Sequence, residues 1–217
     1  MDIVSAEPDE ARALRDLHVA TWELTYRKHA GEAWYRERLA AHAARDWREI
    51  VRSQTAGGGG VLTARCDGRV VALCQYGPTE DHDHDSAQVG QIQRLYVHPA
   101  HQGAGIGRSL LGASVDRLRH AGGQTATLWV LEVDERARAF YERLGWKRDG
   151  ARSIGPPTDV RYRLALRRRA AGERGRPRAN PPQARARGQS ALDPCAARSS
   201  DAPCCPRGCP TGANPEP

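Results

Sequence analysis

The residues best suited to chemistry in this chain form one glycine-rich run, Gln102-Gly103-Ala104-Gly105-Ile106-Gly107-Arg108, with Ser109 behind it. An apolar, β-prone segment precedes the run and a segment of helical periodicity follows it, so the run joins a strand to a helix. Glycine at such a join permits a tight turn and lets a ligand approach the backbone. The helix that starts there offers amide hydrogens without intrahelical acceptors, and the positive end of its macrodipole. Together these make an anion site suited to a pyrophosphate.

Three nucleotide-binding patterns compete for this loop. A P-loop carries Lys and then Ser or Thr after its last glycine, whereas Arg108-Ser109 follows Gly107 and the glycine spacing differs. The Rossmann pattern G-x-G-x-x-G does not match Gly103-x-Gly105-x-Gly107. The pattern Q-x-x-G-x-G is matched in full by Gln102, Gly105 and Gly107. Taken alone, the run also fits a tight strand-to-helix turn that holds no ligand. Elsewhere, His82 and His84 alternate with Asp81, Asp83 and Asp85. His with Asp can bind metals, but a polar segment of this kind reads as a solvated loop, and no metal site is expected.

The elements that must position the loop follow from periodicity. Helical spacing runs through residues 9–30, with Leu14, Leu17, Trp22 and Leu24, and Asp9 suits an N-cap. It resumes over 32–54 with Trp34, Leu39, Trp47, Ile50 and Val51, and Gly57 to Gly60 end it. Val61 to Cys66 and Val70 to Tyr76 predict a hairpin about Asp67-Gly68. A third strand spans Val89 to Val97 and stops at His98-Pro99, where His98 reads as structural. Gly105 to Ala121 is the helix behind the loop, and Thr125 to Val133 suits a central strand buried on both faces. Asp134 caps a helix that runs through Leu144 and is ended by Gly145. Val160 to Leu166 alternates as a last strand, and Ile3-Val4 forms a short first one. The order is that of a mixed α/β (α+β) domain.

With these elements in place, Leu95-Tyr96-Val97-His98-Pro99 leading into Gln102-x-x-Gly105-x-Gly107 closely resembles the acetyl-CoA-binding motif of the GNAT N-acetyltransferase superfamily. Downstream, Asp134-x-x-Ala137-x-x-x-Tyr141, closed by Gly145-Trp146, resembles that family's second hallmark, N-x-x-A-x-x-x-Y with a Gly-aromatic pair. The two stand in the family's order and spacing, and the resemblance covers about residues 2–166. It implies a twisted mixed sheet of about six to seven strands flanked by about four helices, with the middle strands splayed to admit the cofactor. It also implies an enzyme, an acyltransferase that moves an acetyl group from acetyl-CoA, as co-substrate, to a primary amine of a small molecule or protein.

Residue by residue, the resemblance assigns the backbone of Leu95, Tyr96 and Val97 to the pantetheine arm. The amides of Gly103, Ala104, Gly105, Ile106, Gly107, Arg108 and Ser109 go to the pyrophosphate, bordered by the side chains of Gln102 and Arg108. It makes Tyr141 the general acid that protonates the departing thiolate. Asp134 stands where the family usually has an Asn that contacts the cofactor arm; an ionised Asp accepts a hydrogen bond but cannot donate one. Where many relatives carry a Glu base, this chain has Gln91 and Gln93, and the nearest carboxylate by motif is Glu132. Trp22 and Tyr26, one helical turn apart, would wall the acceptor site and hold an amine by cation–π contact. A homodimer is left open.

Charge divides the chain. Of 33 Lys and Arg against 26 Asp and Glu, ten arginines and four acids follow Leu166, which leaves 23 against 22 for residues 1–166. Six of the seven net positive charges therefore belong to the tail, and the near-neutral domain carries no electrostatic argument for nucleic acid. Residues 167–217, rich in Arg, Pro, Gly and Cys without apolar periodicity, are expected to be disordered. Cys195, Cys204, Cys205 and Cys209 lack the paired spacing of a zinc site, while Cys66 and Cys74 sit in apolar runs as core residues. No segment reaches the ~18 apolar residues of a membrane span, and no signal sequence is evident, so a cytoplasmic location is expected. Two other functions stay open at this level: a non-catalytic acyl-CoA-binding module, and an RNA- or protein-binding role led by the tail.

Overall fold

Alternating and β-branched runs supply the strands of one mixed sheet, and helices connect them. The computed structural model describes residues 1–56, 58–154 and 157–166, with backbone only for 54–56. The tail expected over 167–217, with its four cysteines, lies outside the described residues. The strands are β1 (Asp2–Ser5), β2 (Gly60–Cys66), β3 (Arg69–Pro78), β4 (Val89–Val97), β5 (Thr125–Leu131), β6 (Lys147–Arg152) and β7 (Asp159–Ala165). The helices are α1 (Ala11–Tyr26), α2 (Glu32–Ala43), α3 (Trp47–Ala56), α4 (Ile106–His120) and α5 (Glu135–Arg143). Sheet order is β1-β2-β3-β4-β5-β7-β6. Only the β4–β5 pair is parallel; the others are antiparallel. No helix among the described residues is long and apolar enough to cross a membrane.

Two elements differ from the sequence expectation. The helical segment over 32–54 is broken into α2 and α3, because Asp46 Oδ1 accepts from Glu49 N at 3.0 Å and caps a new helix. Strand β6 was not anticipated. Its sequence, KRDGAR, has no apolar alternation, and it pairs with β7 only at Lys147, Arg148 and Arg152.

The sheet separates two layers. On one face α1 and α3 bury Leu14, Leu17, Trp47 and Val51 against Val61 and Leu73. On the other, α4 buries Leu110, Leu111, Val115 and Leu118. Alternation along β3 sends Leu73 to the first face and Cys74 to the second, where Cys74 is fully buried under α4. The α4 layer sits close: a Cβ on Gly90 would lie 2.6 Å from a Leu118 methyl. Glycine there lets the helix press onto the point where β4 and β5 pair.

That pairing is short. It runs from Val89↔Thr125 to Ile92↔Leu128 and stops. Beyond it β4 stays with β3 as far as Val97↔Ala72, while β5 stays with β7 as far as Leu131↔Asp159. The ladder with β3 sets Gln75 opposite Arg94 and Tyr76 opposite Ile92, so Gln93 is an extra residue in β4. A bulge bends its strand and sharpens the twist, and this one falls where β4 leaves β5. The middle of the sheet therefore opens as a wedge.

The segment of alternating His and Asp is the largely exposed loop its composition suggested, but two of its acids are engaged. Arg161, only 6% exposed, lies over the Trp129 ring at 5.4 Å. Its Nη1 and Nη2 donate to Asp83 at 2.7 Å, its Nε to Asp149 at 2.7 Å, and Nη1 also to Asp81 at 3.2 Å. Trp129 Nε1 donates to Asp81 at 2.9 Å. The β3–β4 connection is thereby tied to β5, β6 and β7, on the far side of the wedge from its own strands. No group of three or more His, Cys, Asp or Glu among the described residues has the arrangement of a metal site.

Under α1 lies a polar pocket in an otherwise apolar layer. His18 is fully buried, stacked on Tyr96 at 5.0 Å and edge-on to Trp47 and His42 at 5.4 and 4.9 Å. Neither of its ring nitrogens has a hydrogen-bond partner among the described residues. Burial, and then the nearby His42, Arg94 and Arg45, push its pKa down to about 3; burial and Arg45 push His42 down to about 4. Both are neutral in the folded state over a range where the unfolded chain takes up protons, from the ordinary value of 6.5 downward. Stability is accordingly lost as pH falls from 6.5 toward 4. His18→Phe, which keeps the ring stack, is expected to make that loss shallower, read as the pH dependence of the thermal midpoint.

Candidate active site

The wedge opens into a cleft of about 910 Å³. One wall is the end of β4, Leu95 to Val97; another is α1, through Thr21, Leu24 and Thr25. Asp134, Phe140 and Tyr141 close it from α5. The glycine loop forms the end at which β4 runs out. All the cofactor residues expected from the sequence line this cleft except Ala104 and Ser109.

The loop is built for exposed amides. Gly103 and Gly105 have φ of +83° and +82°, a region costly for residues with a Cβ. Gly105 is the N-cap of α4, and no side chain caps that helix. The first amide to find a helical acceptor is Ser109 N, bonded to Gly105 O at 3.0 Å. The amides of Ile106, Gly107 and Arg108 are thus left without intrahelical partners beside the cleft. Gln102 Nε2 donates to Val97 O at 3.1 Å and ties the loop to the end of β4. His98 Nδ1 accepts from Ala100 N at 3.3 Å, the local structural role its setting before a proline suggested. Nothing lies within 4 Å of a Cβ built on Gly103 or Gly105, so the space above the loop is open on the ligand side.

Tyr141 stands at the inner end of the cleft. Its ring meets Phe140, Trp146 and Tyr162 at 5.2, 6.2 and 6.4 Å. Its hydroxyl makes no hydrogen bond among the described residues. Burial, helped by Cys74, Tyr96 and Asp134, raises its pKa well above the usual phenol value, so it keeps its proton. Asp134 is the N-cap of α5, its Oδ1 accepting from Ala137 N at 2.9 Å.

Other expected residues lie elsewhere. Glu132 does not line the cleft and is held by Arg148 at 3.2 Å and by Arg152, both on the edge strand β6 that the sequence did not reveal. Trp22 is 3% exposed and packed among Tyr26, Trp34, Tyr35 and His42, a core position rather than a cleft wall. Tyr26 is the outer ring of that stack. Burial, then Asp159, Tyr96, Tyr141 and Asp134, raise its pKa, which sets its phenol among the groups of the inner cleft.

Asp159 was not singled out in the sequence. It opens β7 opposite Leu131, the last paired residue of β5. Cross-strand partners share a face, so Asp159 lies on the α1 side of the wedge together with Arg161, the partner of Trp129. Its Oδ1 is buried without a hydrogen-bond partner among the described residues, and burial raises its pKa. A lone Asp at the start of an alternating strand carries no sequence signal; only the strand pairing brings it here.

The chain belongs to the acetyltransferase (GNAT) family, whose model matches residues 12–146. It is 32% identical over 114 residues to the mycothiol acetyltransferase of Acidimicrobium ferrooxidans, covering 52% of this chain and 33% of that one. It is 32% identical over 82 residues to an uncharacterized N-acetyltransferase of Archaeoglobus fulgidus, covering 38% of this chain and 56% of the relative. The chain thus spans about a third of the mycothiol acetyltransferase and about half of the archaeal protein. Among solved structures, the PaiA N-acetyltransferase of Thermoplasma acidophilum in complex with coenzyme A superposes with a TM-score of 0.64 at 19% identity, over 76% of this chain and 98% of that one. A putative acetyltransferase of Salmonella typhimurium with acetyl-CoA gives 0.58 at 21%, over 79% and 96%. These likenesses show the shared fold.

The loop geometry separates two substitutions. Gly105→Ala forces a Cβ into a left-handed conformation and is expected to cost about 1–2 kcal/mol, read as a lower thermal midpoint, and to weaken coenzyme A binding. Gly107→Ala would meet Val97 Cγ2 at 3.4 Å and Phe140 at 3.7 Å, ordinary contact distances. Its thermal midpoint is expected to stay close to that of the unaltered chain.

Proposed function

We propose that this chain is an N-acetyltransferase that moves the acetyl group of acetyl-CoA to a primary amine. The observation that carries the reading is the combination at the two ends of one wedge: uncapped helix amides under the glycine loop, and a protonated phenol at the parting of β4 and β5. Diphosphate oxygens suit the amides of Ile106, Gly107 and Arg108 and the open space above Gly103 and Gly105. The distance between the loop and Tyr141 is spanned by the edge of β4 that β5 leaves, which offers backbone hydrogen bonds to an extended amide-bearing arm. Bound acetyl-CoA supplies the activated thioester.

The residues around the thioester divide the proton work. Tyr141 hydroxyl donates to the sulfur as the carbon–sulfur bond breaks; its raised pKa keeps the proton available at neutral pH. The attacking amine must shed a proton as the new carbon–nitrogen bond forms. We assign that proton to Asp159, directly or through one water, because its buried Oδ1 has no other partner and its pKa is raised toward the working range. Glu132, the base candidate from the motif, is neutralised by two arginines outside the cleft. The products are an N-acetyl amide and coenzyme A thiol, with one proton taken up and one released.

One observation favours a second reading, a non-catalytic acyl-CoA-binding module. Gln91, at the position of the family's usual Glu, is spent on a structural bond from Glu80 N at 3.0 Å. Calorimetry with acetyl-CoA, together with a thiol-release assay against a panel of amines, separates the two: binding without turnover would support the module.

Tyr141→Phe is expected to lower kcat about a hundredfold, within the usual range for a general acid, with acetyl-CoA affinity little changed. Asp159→Asn is expected to lower turnover to a similar extent, and Glu132→Gln to leave it near the unaltered level. Unaffected turnover in Asp159→Asn would remove Asp159 from the mechanism. The stability sign of that variant is fixed as well. A carboxyl whose folded pKa is raised loses stability as pH rises above its ordinary value of 3.8. Asp159→Asn should therefore raise the thermal midpoint at pH ~7 and leave it unchanged at acid pH, where the carboxyl is protonated in both states.

A further inference from the structure

The half-buried Arg65 pairs with Glu10 at 2.9 Å, and the buried Arg161 with Asp81, Asp83 and Asp149. Arg94 and Arg45 differ. Both are half-buried, and neither has a carboxylate within ion-pair distance among the described residues. Arg94 Nη1 is oriented by a neutral acceptor, Gln75 Oε1. The acid that bears on Arg94 is Glu80, whose Oε1 is engaged by Gln93 Nε2 at 3.0 Å. Arg45 disfavours the charge on Arg94, after burial itself. Two like charges removed from water without a counter-ion are costly, and an oxyanion between them relieves both the repulsion and the lost hydration.

The surroundings offer further unpartnered polar atoms. Arg45 Nε, His42 Nδ1 and Trp47 Nε1 are buried without hydrogen-bond partners among the described residues, as are both nitrogens of the fully buried His18. His18 stacks on Tyr96, so this polar pocket is continuous with the wall of the cleft. Arg94 precedes Leu95 on β4 and, two residues from Tyr96, shares its face of the strand. That is the α1 face, on which Asp159 stands across the wedge. Arg94 and Tyr96 are about 7 Å apart along the strand, so the Arg94 guanidinium lies one strand repeat from the cleft wall.

We propose that the acceptor is an amine that also carries an oxyanion, a carboxylate or a phosphate, seated between Arg94 and Arg45. This rests on the acetyl-transfer reading and narrows it: a polyamine or a neutral amine leaves the two guanidiniums uncompensated.

The test uses the full chain and matched acceptors. Glycine, β-alanine and aspartate are assayed against their amides, and phosphoethanolamine against ethanolamine, by thiol release. The oxyanion member of at least one pair is expected to be preferred roughly tenfold or more in kcat/KM, the scale of a lost charge-assisted hydrogen bond. The pair that shows it identifies carboxylate or phosphate. Arg94→Gln and Arg45→Gln are expected to abolish the preference through KM, with acetyl-CoA affinity by calorimetry unchanged. In parallel, the thermal midpoint of protein saturated with coenzyme A, which fills the glycine loop, is measured in succinate, phosphate and chloride at equal ionic strength. Succinate or phosphate should stabilise the unaltered chain above chloride, and this gain should vanish in Arg94→Gln. If no acceptor in the panel is acetylated, the thermal shift decides alone. Should Arg94→Gln fail to fold, Arg45→Gln carries the comparison. Equal use of acids and amides, or an anion effect that survives both substitutions, overturns the proposal. Absence of coenzyme A binding overturns the acetyl-transfer reading instead, and leaves the anion effect readable in unliganded protein.

Discussion

The parting of β4 from β5 after Ile92 and Leu128 is the constraint on which the rest of this structure depends. Two parallel strands that stay paired would present a closed surface with no room for a ligand between them. Here each strand keeps its antiparallel neighbour and gives up the other. The backbone groups of β4 then face a cleft, and a ligand arm can complete what the sheet leaves open. The bulge at Gln93 and the close approach of α4 at Gly90 explain why the break falls where it does. Pairing is enforced on one side of the break and bent away on the other.

Such a break has to be held from both ends. At the loop end, Gln102 ties the turn to Val97, and the left-handed glycines aim the amides of α4 into the opening. At the other end, Arg161 gathers carboxylates from the β3–β4 connection and from β6 while lying on Trp129 of β5. The polypeptide on the β4 side is thereby fastened to the strands on the β5 side by an ion cluster rather than by a ladder. Tyr141, from α5, lines the cleft beside the end of β4.

The sequence shows these parts unevenly, for physical reasons. The glycine loop, the cap at Asp134 and the alternation of β2 to β5 depend on local conformation, and local conformation is written in short spans of residues. Tyr141 was found because its spacing from Asp134 is fixed by one helix. Asp46 carried a legible cap signal that would have split α2 from α3, but the apolar spacing on either side masked it. Strand β6 has no pattern to read, since it is an edge strand held by two or three pairings and by arginines that reach Glu132. Asp159, Arg94 and Arg45 are beyond local reading altogether. Their meaning comes from what they lack, a partner, and that is visible only once distant strands are laid side by side. The ion cluster of the Asp81–Asp85 segment was hidden for the same reason: its acids are answered by an arginine some 80 positions away.

The cluster around Arg161 has three carboxylates for one guanidinium, so it keeps an excess of negative charge. Arg45 and Arg94 stand on the same face of the sheet with an excess of the opposite sign. The acceptor side of the wedge is therefore electrically polarised before anything binds, negative over β5 and β7 and positive over β4 and the α2–α3 junction. A zwitterion that diffuses in feels a torque as well as an attraction. An acceptor of the kind proposed above would be turned with its ammonium end toward Asp159 and its acid end toward the guanidiniums, so part of its orientation would be complete before contact.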